Sequence, residues 1–123
     1  MKTLARAMAC LVVAVALQAR PAQAAGAFAV GDCGAYGHAI DFPDAAQARA
    51  AALANCRGKC RVVATMRRNC AAFAIDSANV CGPHGYATAT RLAQAQNTAL
   101  RVCFQYGGKD CLIRAWACDG AAR

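Results

Sequence analysis

Two short segments hold the residues best suited to chemistry. Ala35-Tyr36-Gly37-His38-Ala39 and Pro83-His84-Gly85-Tyr86-Ala87 carry the same pattern with Tyr and His exchanged. A two-fold relation between them would set Tyr36 beside His84 and His38 beside Tyr86. Such a site would hydrogen-bond a ligand and change charge near neutral pH. It would hold a metal only weakly, because no carboxylate partner is nominated; the same residues would equally serve as ordinary cross-strand pairs. The rest of the catalytic inventory is poor. The chain has no glutamate, and its six acids are Asp32, Asp41, Asp44, Asp76, Asp110 and Asp119. Its one serine, Ser77, lies in an Asp-Ser-Ala-Asn turn without the glycines of a nucleophile elbow. No spacing nominates a carboxylate pair of the glycosidase kind. The sequence predicts a protein that is not an enzyme and needs no cofactor.

Charge and aromatics suggest binding instead. Fourteen Lys and Arg against six acids give a formal net charge of +8. Arg57, Lys59, Arg61, Arg67 and Arg68 crowd one stretch, which strand-to-loop geometry would gather on one surface. A basic exported protein is drawn to lipid headgroups, lipopolysaccharide phosphates, acidic glycans or an acidic protein; the same charges also serve as a solvated face. Nucleic acid is disfavoured, since export removes the chain from it and stacking aromatics are few. Phe104 and Tyr106, with Gly107-Gly108, mark a loop where an aromatic anchor for a partner is expected.

The elements that must position these residues come from a duplication. Phe28-Ala29-Val30 returns as Phe73-Ala74-Ile75, Cys33 as Cys81, and Ala52-Leu53-x-x-Cys56 as Ala99-Leu100-x-x-Cys103. Cys60-Arg61-Val62-Val63-Ala64 then corresponds to Cys111-Leu112-Ile113-Arg114-Ala115, after an insertion in the second copy. Each copy reads as strand, strand, helix, strand. Repeat 1 spans about 26–70 and repeat 2 about 71–119. Pro43 is expected at the first helical position, with Asp44 at the positive end of the helix dipole. Ala46, Ala50, Leu53 and Cys56 are expected to form the buried helical face, which Asn97 interrupts in the second copy. The fold class is α+β: two pseudo-symmetric repeats sharing one core.

The N-terminus reads as a secretory signal: a basic leader over Met1–Arg6, an apolar run from Ala7 to Leu17, and a small-x-small site at Ala22-Gln23-Ala24. The apolar run falls short of the roughly 20 residues that span a bilayer. Cleavage after Ala24 would leave a domain over 25–123 without a transmembrane segment, and Cys10 would leave with the signal. Eight of the nine cysteines remain: Cys33, Cys56, Cys60, Cys70, Cys81, Cys103, Cys111 and Cys118. An even number in an exported chain, with no Cys-x-x-Cys pair for zinc, reads as four disulfides.

The Cys60-Arg61-Val62-Val63 phrase, the Asn69-Cys70-Ala71-Ala72 turn, the alanine-rich helices ending Ala-Leu-x-x-Cys and the terminal Ala115-Trp116-Ala117-Cys118 resemble the DUF4189 domain. That resemblance implies its fold and export from a bacterial cell, and no activity. Symmetry then narrows about a hundred possible connectivities. Cys56–Cys60 and Cys103–Cys111 would tie each helix end to the next strand. Cys33–Cys81 and Cys70–Cys118 would join the two halves. The expected function is that of a secreted or periplasmic binding module of effector, inhibitor or immunity type, for an anionic envelope or host component or a protein. The alternative is a structural or envelope-stress protein with no dedicated ligand.

Overall fold

The computed structural model describes residues 24–120, so the leader and its cleavage signal lie outside the described residues. Two strand-strand-helix-strand repeats follow in order: β1 (Ala25–Gly31), β2 (Tyr36–Phe42), α1 (Ala45–Asn55), β3 (Cys60–Met66), then β4 (Cys70–Asp76), β5 (His84–Ala89), α2 (Leu92–Gln105), β6 (Cys111–Cys118). Each repeat forms one antiparallel sheet with its first strand central, ordered β2-β1-β3 and β5-β4-β6.

Alternation on the two central strands builds four layers. Phe28 and Val30 of β1 meet Phe73 and Ile75 of β4 in a shared core between the sheets, closed by Met66, Ala115 and Ala117. The opposite faces, Ala27 and Ala29 or Ala72 and Ala74, carry the helices. Thus helices lie outside and sheets inside, with both central strands buried on both faces. The pseudo-symmetry extends to irregularities. β3 and β6 each bulge at the same point, leaving Val63 and Arg114 as the extra residues.

Both helices reach their sheet mainly through alanines outside the expected face, with Cys56 the expected residue that is buried. The buried stripe of α1 is Ala48, Ala52 and Cys56, not Ala46, Ala50 and Leu53, and Leu53 is exposed. In α2 the stripe is Ala95, Ala99 and Cys103, and Asn97 faces outward, so it interrupts nothing. The reason lies in the sheet. A Cβ on Gly37 would collide with the Ala52 carbonyl and sit 2.6 Å from the Cys56 nitrogen. One on Gly85 would meet the Ala99 carbonyl and, at 2.7 Å, the Cys103 nitrogen. The helix backbone rests directly on a glycine, and small side chains, alanine and cysteine, are the ones buried around that contact. Pro43 also shifts role: Asp44 is the N-cap, its carboxylate accepting from the Gln47 N–H at 2.8 Å, and Pro43 precedes it.

The four disulfides pair as symmetry suggested: Cys33–Cys81, Cys56–Cys60, Cys70–Cys118 and Cys103–Cys111. One interpretation needs correction. Cys70 opens β4 and faces Cys118 across the β4–β6 ladder, so this bridge lies within repeat 2. Among the disulfides, only Cys33–Cys81 joins the halves. The repeat boundary is the turn between Met66 and Cys70. By loop-closure entropy the two bridges with separations of 48 contribute about 4 kcal/mol each, and the helix-end bridges about 2 kcal/mol.

The glycine contact gives a direct test. Gly37→Ala and Gly85→Ala should each destabilise the domain by about 2 kcal/mol, lowering Tm by roughly 10 °C, because backbone rather than a flexible side chain must move. Unchanged melting of both variants would show that the helices are not seated as described.

Candidate functional site

The sheets stack so that β2 lies against β6 and β3 against β5. The strands bearing the Tyr/His segments are therefore at opposite corners, and neither Tyr36–His84 nor His38–Tyr86 forms. Each edge of the sandwich is closed instead by an arginine over a tyrosine. The Arg61 guanidinium of β3 stands 5.7 Å from the Tyr86 ring centre, and Arg114 of β6 stands 5.3 Å from that of Tyr36. His38 stacks beside Tyr36 and over Phe28, with centroids 6.3 and 6.1 Å away. His84 meets Phe73 edge-on.

These edges frame two unlike clefts. The larger begins where the halves abut, in a cavity of about 390 Å³ lined by Asp32, Lys59, Arg61, Val80 and His84, with the Cys33–Cys81 bridge in its wall and Phe73 in its lining. Through the shared Arg61, Gly82 and His84 it continues into a second cavity of about 480 Å³, lined by Tyr86, Val102 and Tyr106. His84 Nδ1 lies 3.1 Å from the Gly82 carbonyl, which can only accept. Nδ1 is therefore the donor in this contact. The smaller cleft, about 320 Å³, holds Tyr36, His38, Asn55, Arg57 and Arg114.

The two arginines differ in commitment. Arg114 Nε donates to the Gly34 carbonyl at 3.2 Å, a reach made possible by the β6 bulge. Among the described residues the Arg61 guanidinium makes no hydrogen bond, and its donors are free beside Lys59 and His84.

The basic stretch is thus divided. Lys59 and Arg61 enter the larger cleft and Arg57 the smaller, while Arg67 and Arg68 form the turn at the far end of β3, a strand length of roughly 20 Å away. The aromatic loop is also reassigned. Phe104 belongs to the last turn of α2, which runs 14 residues against 11 in α1, so much of the insertion lengthens the helix. Tyr106 caps that helix, is 73 % exposed and lines the cleft, whereas Phe104 does not line it. Ser77 donates its hydroxyl to the Asp110 carbonyl at 3.0 Å within a turn. Sequence reasoning missed Arg114 and Asn55. The signal available for Arg114 was a charge in the apolar strand Leu112–Ala117, at the position Val63 holds in repeat 1.

The loop that places Tyr106 is anchored by a buried carboxylate. Asp76 Oδ1 accepts from the N–H groups of Ala78 and Asp110 at 3.0 and 3.1 Å, and Oδ2 from that of Lys109 at 3.3 Å. Repeat 1 has Gly31 at the matching place, where the shorter turn passes so close that a Cβ would sit 2.8 Å from the Lys59 carbonyl. Burial raises the Asp76 pKa, but these three amides and the Lys109 charge outweigh it, leaving the pKa lowered.

The chain belongs to the family described as a domain of unknown function, DUF4189, which matches residues 25–118. No curated protein and no solved structure matches it. No described helix is long and apolar enough to cross a membrane.

Because the folded pKa of Asp76 lies below the unfolded value of about 4, its contribution is present above that pH and fades as pH falls through the folded pKa. Asp76→Asn should therefore lower Tm at pH 7 and flatten the decline in Tm between about pH 4 and 2. Thermal melts across that range decide it; an acid limb identical to the parent's would refute the anchor.

Proposed function

We propose that this chain is exported, is cleaved after Ala24, and acts without catalysis as a binding module. Its partner presents an anionic group, on an envelope or host component or on a protein, to the cleft between the repeats. Arg61 carries the reading: a guanidinium stacked on Tyr86, with no hydrogen bond among the described residues, opening onto a cavity shared with Lys59 and His84. A planar fork of donors held by an aromatic face is suited to bidentate recognition of carboxylate or phosphate. Tyr106 at the far end of the same groove adds the exposed aromatic surface on which binding energy concentrates. Four disulfides suit an oxidising compartment, and a rigid frame keeps the ordering cost of binding low.

The test is capture of partners from envelope and host-cell fractions by the oxidised protein at low and high salt. The expected result is a specific, salt-sensitive partner that a Lys59→Glu, Arg61→Glu variant loses and an Arg67→Glu, Arg68→Glu variant keeps. Loss only in the second variant would move the binding face to the β3–β4 turn. Capture of nothing by the parent would leave the structural, envelope-stress role as the better account.

A further inference from the structure

Asp119 is fully buried, and its Oδ2 has no hydrogen-bond partner among the described residues. An unpaired carboxylate in that position is costly, so the fold should supply a compensating charge or hydrogen bond. Its surroundings say where one would come from. Oδ1 accepts from the Asp41 N–H at 3.2 Å. The β1–β2 ladder passes from Ala25↔Phe42 to Ala27↔Ala39, setting Ile40 and Asp41 against Gly26 in a bulge with Asp41 at φ 61°, and so frees that N–H. On the other side, a Cβ on Gly26 would lie 3.3 Å from the Asp119 Cβ. The Asp119 side chain therefore packs against the start of β1 at Gly26. Ala25, itself buried, is one residue from that contact.

In an uncleaved chain the Ala25 nitrogen is an uncharged amide. We infer that cleavage between Ala24 and Ala25 creates an α-ammonium that pairs with Asp119 Oδ2, locking the start of β1 to the end of β6 only in the processed protein. The inference rests on the export reading above. It also accounts for an asymmetry between the repeats. In repeat 2 the start of the central strand is tied to the end of the third strand by Cys70–Cys118. The equivalent residues of repeat 1, Ala25 and Arg67, have no such bridge, and Asp119 reaches this unstapled end from the other repeat. The other charged groups near this end are Asp41, which is exposed, and Arg68, whose Cγ is 3.4 Å from where a Gly120 Cβ would be. Neither side chain is hydrogen-bonded to Asp119 among the described residues.

The full chain should be produced in an exporting bacterium and the N-terminus of the folded product read by mass spectrometry. Its α-amine would then be acetylated at mildly acidic pH, where α-amines react in preference to lysine side chains in general. The expected N-terminus is Ala25, with an α-amine that reacts at least about tenfold more slowly in the folded than in the denatured protein, as a buried paired ammonium should. Protein refolded after acetylation should melt roughly 5–10 °C lower than an unmodified refolded control. In Asp119→Asn that difference should vanish. Should that variant fail to fold, the reactivity ratio decides alone. A terminus other than Ala25 would overturn the inference together with the cleavage it rests on. An Ala25 terminus whose amine reacts freely, or whose acetylation leaves Tm unchanged, would overturn the inference and leave export standing.

Discussion

The helices of this protein lie on their sheets backbone to backbone. At Gly37 and Gly85 there is no room even for a methyl group between strand and helix, and the buried residues of the helix faces that flank these points are alanine and cysteine. Close seating limits the apolar area available, because an alanine buries far less than the leucine or valine side chains that supply about 1.5–3 kcal/mol each in ordinary cores. Large apolar side chains occur mainly between the sheets, around Phe28, Phe73 and Met66. A small domain with two such thin layers has little margin. Covalent ties take up the difference, and two of them, from Cys56 and Cys103, start at the glycine contacts themselves.

The repeat-like arrangement supplies the frame, and departures from it supply the individuality. Where the repeats agree, as at the glycines, the helix-end disulfides and the bulges, the residues hold the fold. Where they differ, chemistry gathers. Gly31 is matched by Asp76, which fixes a longer loop and with it Tyr106. Val63 is matched by Arg114, which ties β6 to Gly34 across the sheets. Tyr36 and His38 are matched by His84 and Tyr86, so the two clefts share geometry but not lining.

Much of this frame could be read from the residues, for physical reasons. Cysteines in a repeat admit few symmetric pairings, and the expected four are those observed. Phe28-Ala29-Val30 and its copy Phe73-Ala74-Ile75 mark equivalent strands, and their burial on both faces emerges only from the stacking of the sheets. The helix stripe was misread because an alanine-rich helix offers several faces of nearly equal hydrophobicity; the choice is made by Gly37 and Gly85, which lie in other elements. The Tyr–His juxtaposition failed for a different reason. Equivalence in a repeat says which residues share a local role, whereas proximity depends on how the sheets stack, and here β2 lies against β6 rather than β5. The basic stretch dispersed because the rest of β3 separates Arg61 from Arg67 and a tight turn sends Arg57 and Lys59 to different clefts.

Stacking also explains why the clefts arise where they do. Two three-stranded sheets packed with their order reversed leave an edge strand of one against an edge strand of the other at both sides. An edge of that kind needs a side chain with an apolar stem to cover the core and a polar head to face water, which describes arginine over tyrosine. Arg114 fulfils this role with its Nε already bonded to the protein. Arg61 fulfils the same packing role while making no hydrogen bond among the described residues, and it does so beside the Cys33–Cys81 bridge that joins the halves. Of two edges built for the same structural purpose, one therefore has its arginine tied to the backbone of the other repeat, and the other turns its guanidinium into the larger cleft.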